Sequence, residues 1–279
     1  ALPILLTPPA APASSVLIAA ITVRLIGHIE AAIPWATPGF AAALRALVQW
    51  YRTGEDADRI AFDIAWVQAT DSPVDTMSGF VEVYMDARGI KGSWESMVYY
   101  VNREKTARIR ALADNAQWFE DHMPIALEYR KPVVQGVTAT AIEVVIETGD
   151  AGPITPIGVN LPNDQRVRET YGSKSVTLSN VTEAYEFSTT DEYRREFTWS
   201  DDEFARAKRF GAVASELATE IHEVLGHGSG RMRVGLTAQP QELLKEQYSA
   251  LEETRADLVA LYFCADAKLV ELGIVPAED

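Results

Sequence analysis

Two of the four histidines in this 279-residue chain fall within six residues, His222-Glu223-Val224-Leu225-Gly226-His227. A second acidic motif, Glu252-Glu253-Thr254-Arg255-Ala256-Asp257, follows. Two imidazoles and one carboxylate are the donor set of a catalytic zinc that keeps its fourth position open to water. Glu223, beside the first histidine, is placed to take a proton from water near such a metal and to hand it to a leaving amine. Glu253 is the natural third ligand. Metal-bound imidazoles normally donate their other ring N–H to a carboxylate, which leaves Glu252 and Asp257 as supports for the histidines. Arg255 either pairs with one of these carboxylates or lies on the surface. The plainer alternatives are an amphipathic helix with two incidental histidines, and a solvated acidic face at 252–257.

The spacing carries more than the residue types. In the common His-Glu-x-x-His pattern the histidines are four apart and share one helix face. Here they are five apart, which on an ideal helix separates them by roughly 140°. One metal can then be shared only if the turn is widened, and the sequence predicts a π-type turn at Val224–His227. Gly226 stands where backbone freedom would help.

The surrounding pattern must present these two motifs on neighbouring helices. Phe204, Ala207, Phe210, Val213, Leu217 and Ile221 form a helical stripe that runs into His222, with Ser200 as its N-cap and Glu203 closing a capping box. Pro240 opens a final helix with Leu244, Leu251, Leu258 and Leu261 expected on its buried face. Earlier, the pattern predicts helices over Val16–Ala32, Pro38–Tyr51 (closed by Gly54), Ile60–Gln68 and Ala107–Phe119. It predicts strands at Phe80–Tyr84, within the β-branched stretch Val133–Ile146, and at Val176–Leu178.

Composition narrows the classes. Hydrophobic residues make up 47% and charged residues 23%, values of an ordinary globular protein of one large or two medium domains. A net charge of −15 argues against nucleic acid as a partner. The apolar run Val16–Ile26 is too short to span a bilayer, and the proline-rich start lacks the basic region of a secretory signal. The cytoplasm is the expected location. The single cysteine, Cys264, reads as a small buried hydrophobe.

The paired motifs resemble the signature of the dipeptidyl peptidase III family of zinc exopeptidases, peptidase family M49. Gly79-Phe80-Val81-Glu82-Val83-Tyr84 with Gly92-Ser93-Trp94-Glu95 is similar to that family's cleft-lining segment. Gly158-Val159-Asn160-Leu161-Pro162-Asn163 is similar to its peptide-binding loop. The resemblance implies an α+β, predominantly helical, two-lobed peptidase: a helical catalytic lobe from 103–143 and 190–279, and a partly β lobe from 1–102 and 144–189. It implies one Zn2+ per chain on His222, His227 and Glu253, with Glu223 as general base and acid. Tyr84 would donate to the scissile carbonyl as it becomes an oxyanion. Glu82, Asn160 and Asn163 would grip the free α-ammonium and first residues of a short peptide, so that dipeptides are released. On composition alone Tyr84 would be an ordinary aromatic, and the asparagines turn formers around Pro162. The family's helical lobe also supplies a later histidine, and none follows His227. A relative that binds zinc and peptides or a protein partner without catalysis is therefore the second expectation.

Overall fold

The computed structural model describes residues 12–81, 94–152 and 155–275. The chain divides into two compact units, residues 1–73 and 74–279.

The first unit is helical: α1 (Pro12–Ala32), α2 (Pro38–Thr53) and α3 (Asp56–Gln68). Thr37 caps α2 by accepting from Phe40 N, and Gly54 ends it with φ 73°, a left-handed conformation that costs glycine nothing. Phe40, Leu44, Leu47, Val48 and Trp50 are buried along α2, and Trp50 stacks on Phe62 of α3. Pro34 falls in a 3-10 turn (Ile33–Trp35) that follows α1 directly.

The second unit is built on a five-stranded sheet: β1 (Val74–Gly79), β2 (Glu95–Val101), β3 (Val137–Gly149), β4 (Gly158–Leu161) and β5 (Ser173–Leu178), in the order β1-β2-β3-β5-β4. Neighbours are antiparallel except β3 and β5, which run parallel from Val137↔Ser173 to Ile142↔Leu178. The β3-to-β5 crossover contains β4 itself and α6 (Gln165–Tyr171), so β4 folds back antiparallel onto the outer side of β5. Every residue of β5 is buried.

Helices α4 (Arg103–Asp114), α5 (Ala116–His122), α7 (Ser179–Ser188), α8 (Asp191–Glu196), α9 (Asp201–Ile221), α10 (Pro240–Leu244), α11 (Tyr248–Phe263) and α12 (Ala267–Glu271) complete the unit. Ile109, Leu112, Phe119 and Met123 from α4, α5 and the residue after them pack with Leu217, Ile221, Val224 and Leu225, and with Val259 and Phe263 of α11, in one core. The α+β, predominantly helical class is as expected. Among the described residues no helix is long and apolar enough to cross a membrane.

Several local expectations are corrected. The first strand lies at Val74–Gly79, ahead of Phe80; of the expected Phe80–Tyr84 strand, residues 82–84 lie outside the described residues. The long helix over 107–119 is two helices. Asn115 breaks it, its side-chain amide donating to Ala111 O and competing with the backbone ladder. Only the end of the α9 stripe, Leu217 and Ile221, reaches the core, and Val213 is exposed. Ser200 does accept from Glu203 N, but the returning Glu203 carboxylate takes Trp199 N instead of Ser200 N. Leu244, Leu251, Leu258 and Leu261 are all exposed. The inner face of α11 is instead Tyr248, Ala256, Val259, Ala260 and Phe263, because a close backbone crossing there demands small residues. Cys264, just past the end of α11, is exposed.

Candidate metal centre

The backbone at His222–His227 is a π-helical turn that continues α9 without a break. Its widened pitch brings the two imidazoles to the same side: His222 Nε2 and His227 Nε2 are 3.0 Å apart and the rings meet edge to face. The turn is held open by burial. Val224 and Leu225, the residues between the ligands, are in the core. Gly226 is there for space and not for flexibility, since its φ is ordinary. A Cβ on it would stand 2.8 Å from Ala256 Cα and 2.9 Å from Ala256 Cβ, so glycine is what lets α11 cross the turn closely enough to deliver its acidic motif.

That crossing places all three predicted carboxylates. Glu253 Oε2 is 3.2 Å from His222 Nε2 and Glu253 Oε1 is 3.5 Å from His227 Nε2. Asp257 Oδ1 accepts from His222 Nδ1 (2.9 Å), and Glu252 Oε1 accepts from His227 Nδ1 (2.8 Å). With both Nδ1 atoms donating to carboxylates, the two Nε2 lone pairs point at one another across 3.0 Å. Such an arrangement is repulsive unless a positive charge lies between them, either a metal ion or, without one, the second proton of His222. The three inner donors are separated by 3.0, 3.2 and 3.5 Å. A tetrahedral zinc with bonds of 2.0–2.1 Å sets its ligand atoms roughly 3.3 Å apart. The donor set and its spacing thus fit a zinc ion, and the outer carboxylates hold the imidazoles in the tautomer that ligation requires. A ligand atom from each of His222, Glu223 and His227 also falls within 4.8 Å of the others. Of the two glutamates, Glu253 is the one with an oxygen against each Nε2.

Glu223 lies beneath the site. Its carboxyl packs on Gly158 of β4, where a Cβ would come within 2.7 Å of Glu223 Cγ and Oε1. Burial pushes this carboxyl up to about 8, opposed by the charge of His222. Burial would lower the His222 imidazole, but Glu253, Glu223 and Asp257 outweigh it and raise it to about 9. Burial prevails at His227 and lowers it. Burial would raise Glu252, yet hydrogen bonds from His227 and Arg255 hold it well below the usual carboxylate range.

Arg255 is neither a surface residue nor a simple partner. Its Nε and NH2 donate to the two oxygens of Glu252 (2.9 and 2.7 Å), and NH1 donates to Gly226 O (2.8 Å) and Ser229 Oγ (3.0 Å). It therefore ties the support of His227 to the exit of the wide turn. Two further residues that sequence reasoning missed finish that exit. Lys131 Nζ donates to Gly228 O (2.7 Å), and the buried Glu120 carboxylate accepts from Lys131 N (2.7 Å) and Gly230 N (3.1 Å). Helix ends leave carbonyls unpaired; Arg255 and Lys131 pair those of Gly226 and Gly228, while Glu120 accepts the amide N–H of Gly230 in the segment that follows. Their separation in sequence from residues 222–230 hid the connection.

Asn160 comes to the same place by a different route. Asn160 lies on β4 and is buried. Its side-chain amide donates to Ser173 Oγ (3.0 Å), Ser175 Oγ (2.7 Å) and Glu223 O (3.1 Å). Ser175 Oγ donates to the same Glu223 carbonyl (3.1 Å). Asn163 Nδ2 donates to Val81 O (2.9 Å). Glu82 and Tyr84 lie outside the described residues.

With this geometry in view, similarity to known proteins can be stated. The model of peptidase family M49 matches residues 24–242. Dipeptidyl peptidase 3 of Dictyostelium discoideum is 29% identical over 282 residues, which cover 89% of this chain and 39% of that protein. Dipeptidyl peptidase 3 of Homo sapiens is 27% identical over 234 residues, covering 74% and 31% respectively. The solved structure of dipeptidyl-peptidase III from Corallococcus sp. strain EGB shares the fold with a TM-score of 0.76 at 24% identity, over 90% of this chain and 46% of that one. The chain spans about two fifths of the length of the curated relatives it matches. A wide histidine turn crossed by an acidic helix, and a family match over most of the sequence, lead to one conclusion: this chain belongs to peptidase family M49.

Proposed function

We propose that this chain is a zinc-dependent exopeptidase, or the catalytic part of one, that releases dipeptides from the free N-terminus of short peptides. The observation that carries the proposal is the convergence of His222 Nε2, His227 Nε2 and the Glu253 carboxylate within 3.0–3.5 Å of one another, with Asp257 and Glu252 behind the imidazoles. A zinc ion held there would supply Lewis acidity toward water and the scissile carbonyl. Glu223 takes the proton of the attacking water and passes it to the departing amine. Tyr84 donates to the carbonyl oxygen as charge develops on it. β4 ends the strand order, and among the described residues no strand pairs with its outer side, so an extended peptide can lie along it. Glu82, with Asn160 and Asn163 around that strand, fixes the peptide's ammonium and so the distance to the metal. The two-lobed division, with residues 103–143 and 190–279 forming the helical lobe, belongs to the same proposal.

Metal analysis should find one zinc per chain, and Glu223→Gln should retain it while abolishing release of a dipeptidyl reporter. Zinc-free protein at neutral pH, with no uptake on titration, would sink the reading. A second reading keeps the zinc and peptide sites without turnover. Tripeptide binding by the zinc-loaded chain with no product would select it.

A further inference from the structure

Arg168 has no place in the chemistry above, yet it is buried and its contacts run in two directions. It sits on α6, which starts where Asp164 caps it by accepting from Arg166 N and Val167 N. From there the side chain reaches back over its own loop. Nε donates to Pro162 O (2.6 Å), and NH2 donates to Asn160 O (2.8 Å) and Asn163 Oδ1 (3.3 Å). The remaining nitrogen, NH1, lies 4.0 Å from Glu252 Oε1. That oxygen is the one that accepts from His227 Nδ1 and from Arg255 NH2.

The geometry points to Arg168 as a positioning residue that joins the loop at 160–163 to the carboxylate orienting His227, so that a peptide on the loop and a metal on the histidines bind cooperatively. The inference rests on the zinc-peptidase reading. A guanidinium is a rigid planar fork. Three of its bonds are set by the loop, so the position of NH1 relative to Glu252 is set by the loop as well. A peptide that braces the loop braces NH1 as well, steadies Glu252 against two guanidinium groups, and holds the His227 ring in its ligating orientation. Support from behind a ligating histidine is worth about 10- to 100-fold in metal affinity, which leaves room for such an effect. Linkage requires that the metal tighten the peptide by the same factor.

The test is zinc affinity, by chelator competition, with and without saturating trialanine, and trialanine affinity by calorimetry with and without zinc. N-acetyl-trialanine, lacking the ammonium, is the control. In the parent chain trialanine should raise zinc affinity by roughly 5- to 10-fold, within the usual range of coupling between sites, and zinc should do the same for trialanine. In Arg168→Met both ligands should still bind, more weakly, with the coupling factor reduced to about one. Arg168→Lys keeps the charge but not the fork and should recover less than half of the coupling; should Arg168→Met fail to fold, this variant decides. An arginine that only staples the loop would weaken trialanine and leave the factor intact, which overturns the inference. So does a parent chain that binds both ligands independently or antagonistically. A parent chain that binds no zinc at all overturns the peptidase reading, and the joint with it.

Discussion

Gly158→Ala tests how tightly the position of Glu223 is set. The change adds one methyl group at a residue whose backbone any amino acid adopts, so its effect is purely one of space. The added carbon would stand 2.7 Å from Glu223 Cγ, 2.7 Å from Oε1 and 3.0 Å from Cδ. Non-bonded carbons settle at about 3.5–4.0 Å, so the side chain must withdraw by roughly 0.8–1.3 Å or β4 must shift by as much. Neither is free: Glu223 is buried, and β4 is pinned through Asn160 to Ser173, Ser175 and the Glu223 carbonyl. Overpacking of this kind costs about 1–3 kcal/mol, and a displacement of about 1 Å in a catalytic group costs on the order of 10²-fold in rate. Urea unfolding should therefore show that loss of stability, zinc content should be unchanged because no ligand is touched, and dipeptide release should fall about 100-fold. Truncating the acid in Glu223→Ala removes Cγ, Cδ and Oε1, the three atoms that the new methyl would meet. The double variant should be more stable than the sum of the single changes by about 1 kcal/mol, because the clash is gone. Additivity of the two stability changes within about 0.4 kcal/mol would refute the steric reasoning.

Gly226→Ala drives a Cβ against Ala256 and should push α11 off the wide turn; zinc affinity falls at least 10-fold, read by chelator competition, and an unchanged affinity counts against the crossing as the element that delivers Glu252, Glu253 and Asp257. Arg255→Met strands one Glu252 carboxylate and the Gly226 carbonyl and should cost about 2–3 kcal/mol in thermal or urea unfolding. For pH, burial lowers Lys131 to about 8 from 10.5, against the pull of Glu120. The folded state thus holds fewer protons than the unfolded chain between those values, and stability rises with pH across that window, by up to about 3 kcal/mol. From pH 7.5 to 10 the parent's unfolding midpoint should gain on that of Lys131→Met, the opposing titration of His222 being common to both, and an identical slope in the variant would count against it.

How much of this was legible in the sequence depended on distance along the chain. The wide turn at 222–227 followed from spacing, because two ligands five apart cannot share a face of an ideal helix. Gly54 announced the end of α2 through local backbone chemistry. What local pattern could not convey is which face of a helix meets its neighbour. The leucines of α11 form the more hydrophobic stripe, yet the helix turns its alanines inward because Gly226 must touch Ala256. In the same way Lys131, Glu120 and Arg168 reach the site from segments whose own sequence carries no metal pattern. Their roles exist only once the sheet and helices are assembled.

The wide turn also differs from a common four-spaced histidine turn by a single extra residue. Deleting Leu225 would leave His-Glu-Val-Gly-His, a spacing that an ordinary helix accommodates. Leu225 is in the core, however, and removing it would expose or empty a site whose burial is worth about 1.5–3 kcal/mol. The extra residue is therefore an anchor as well as a spacer.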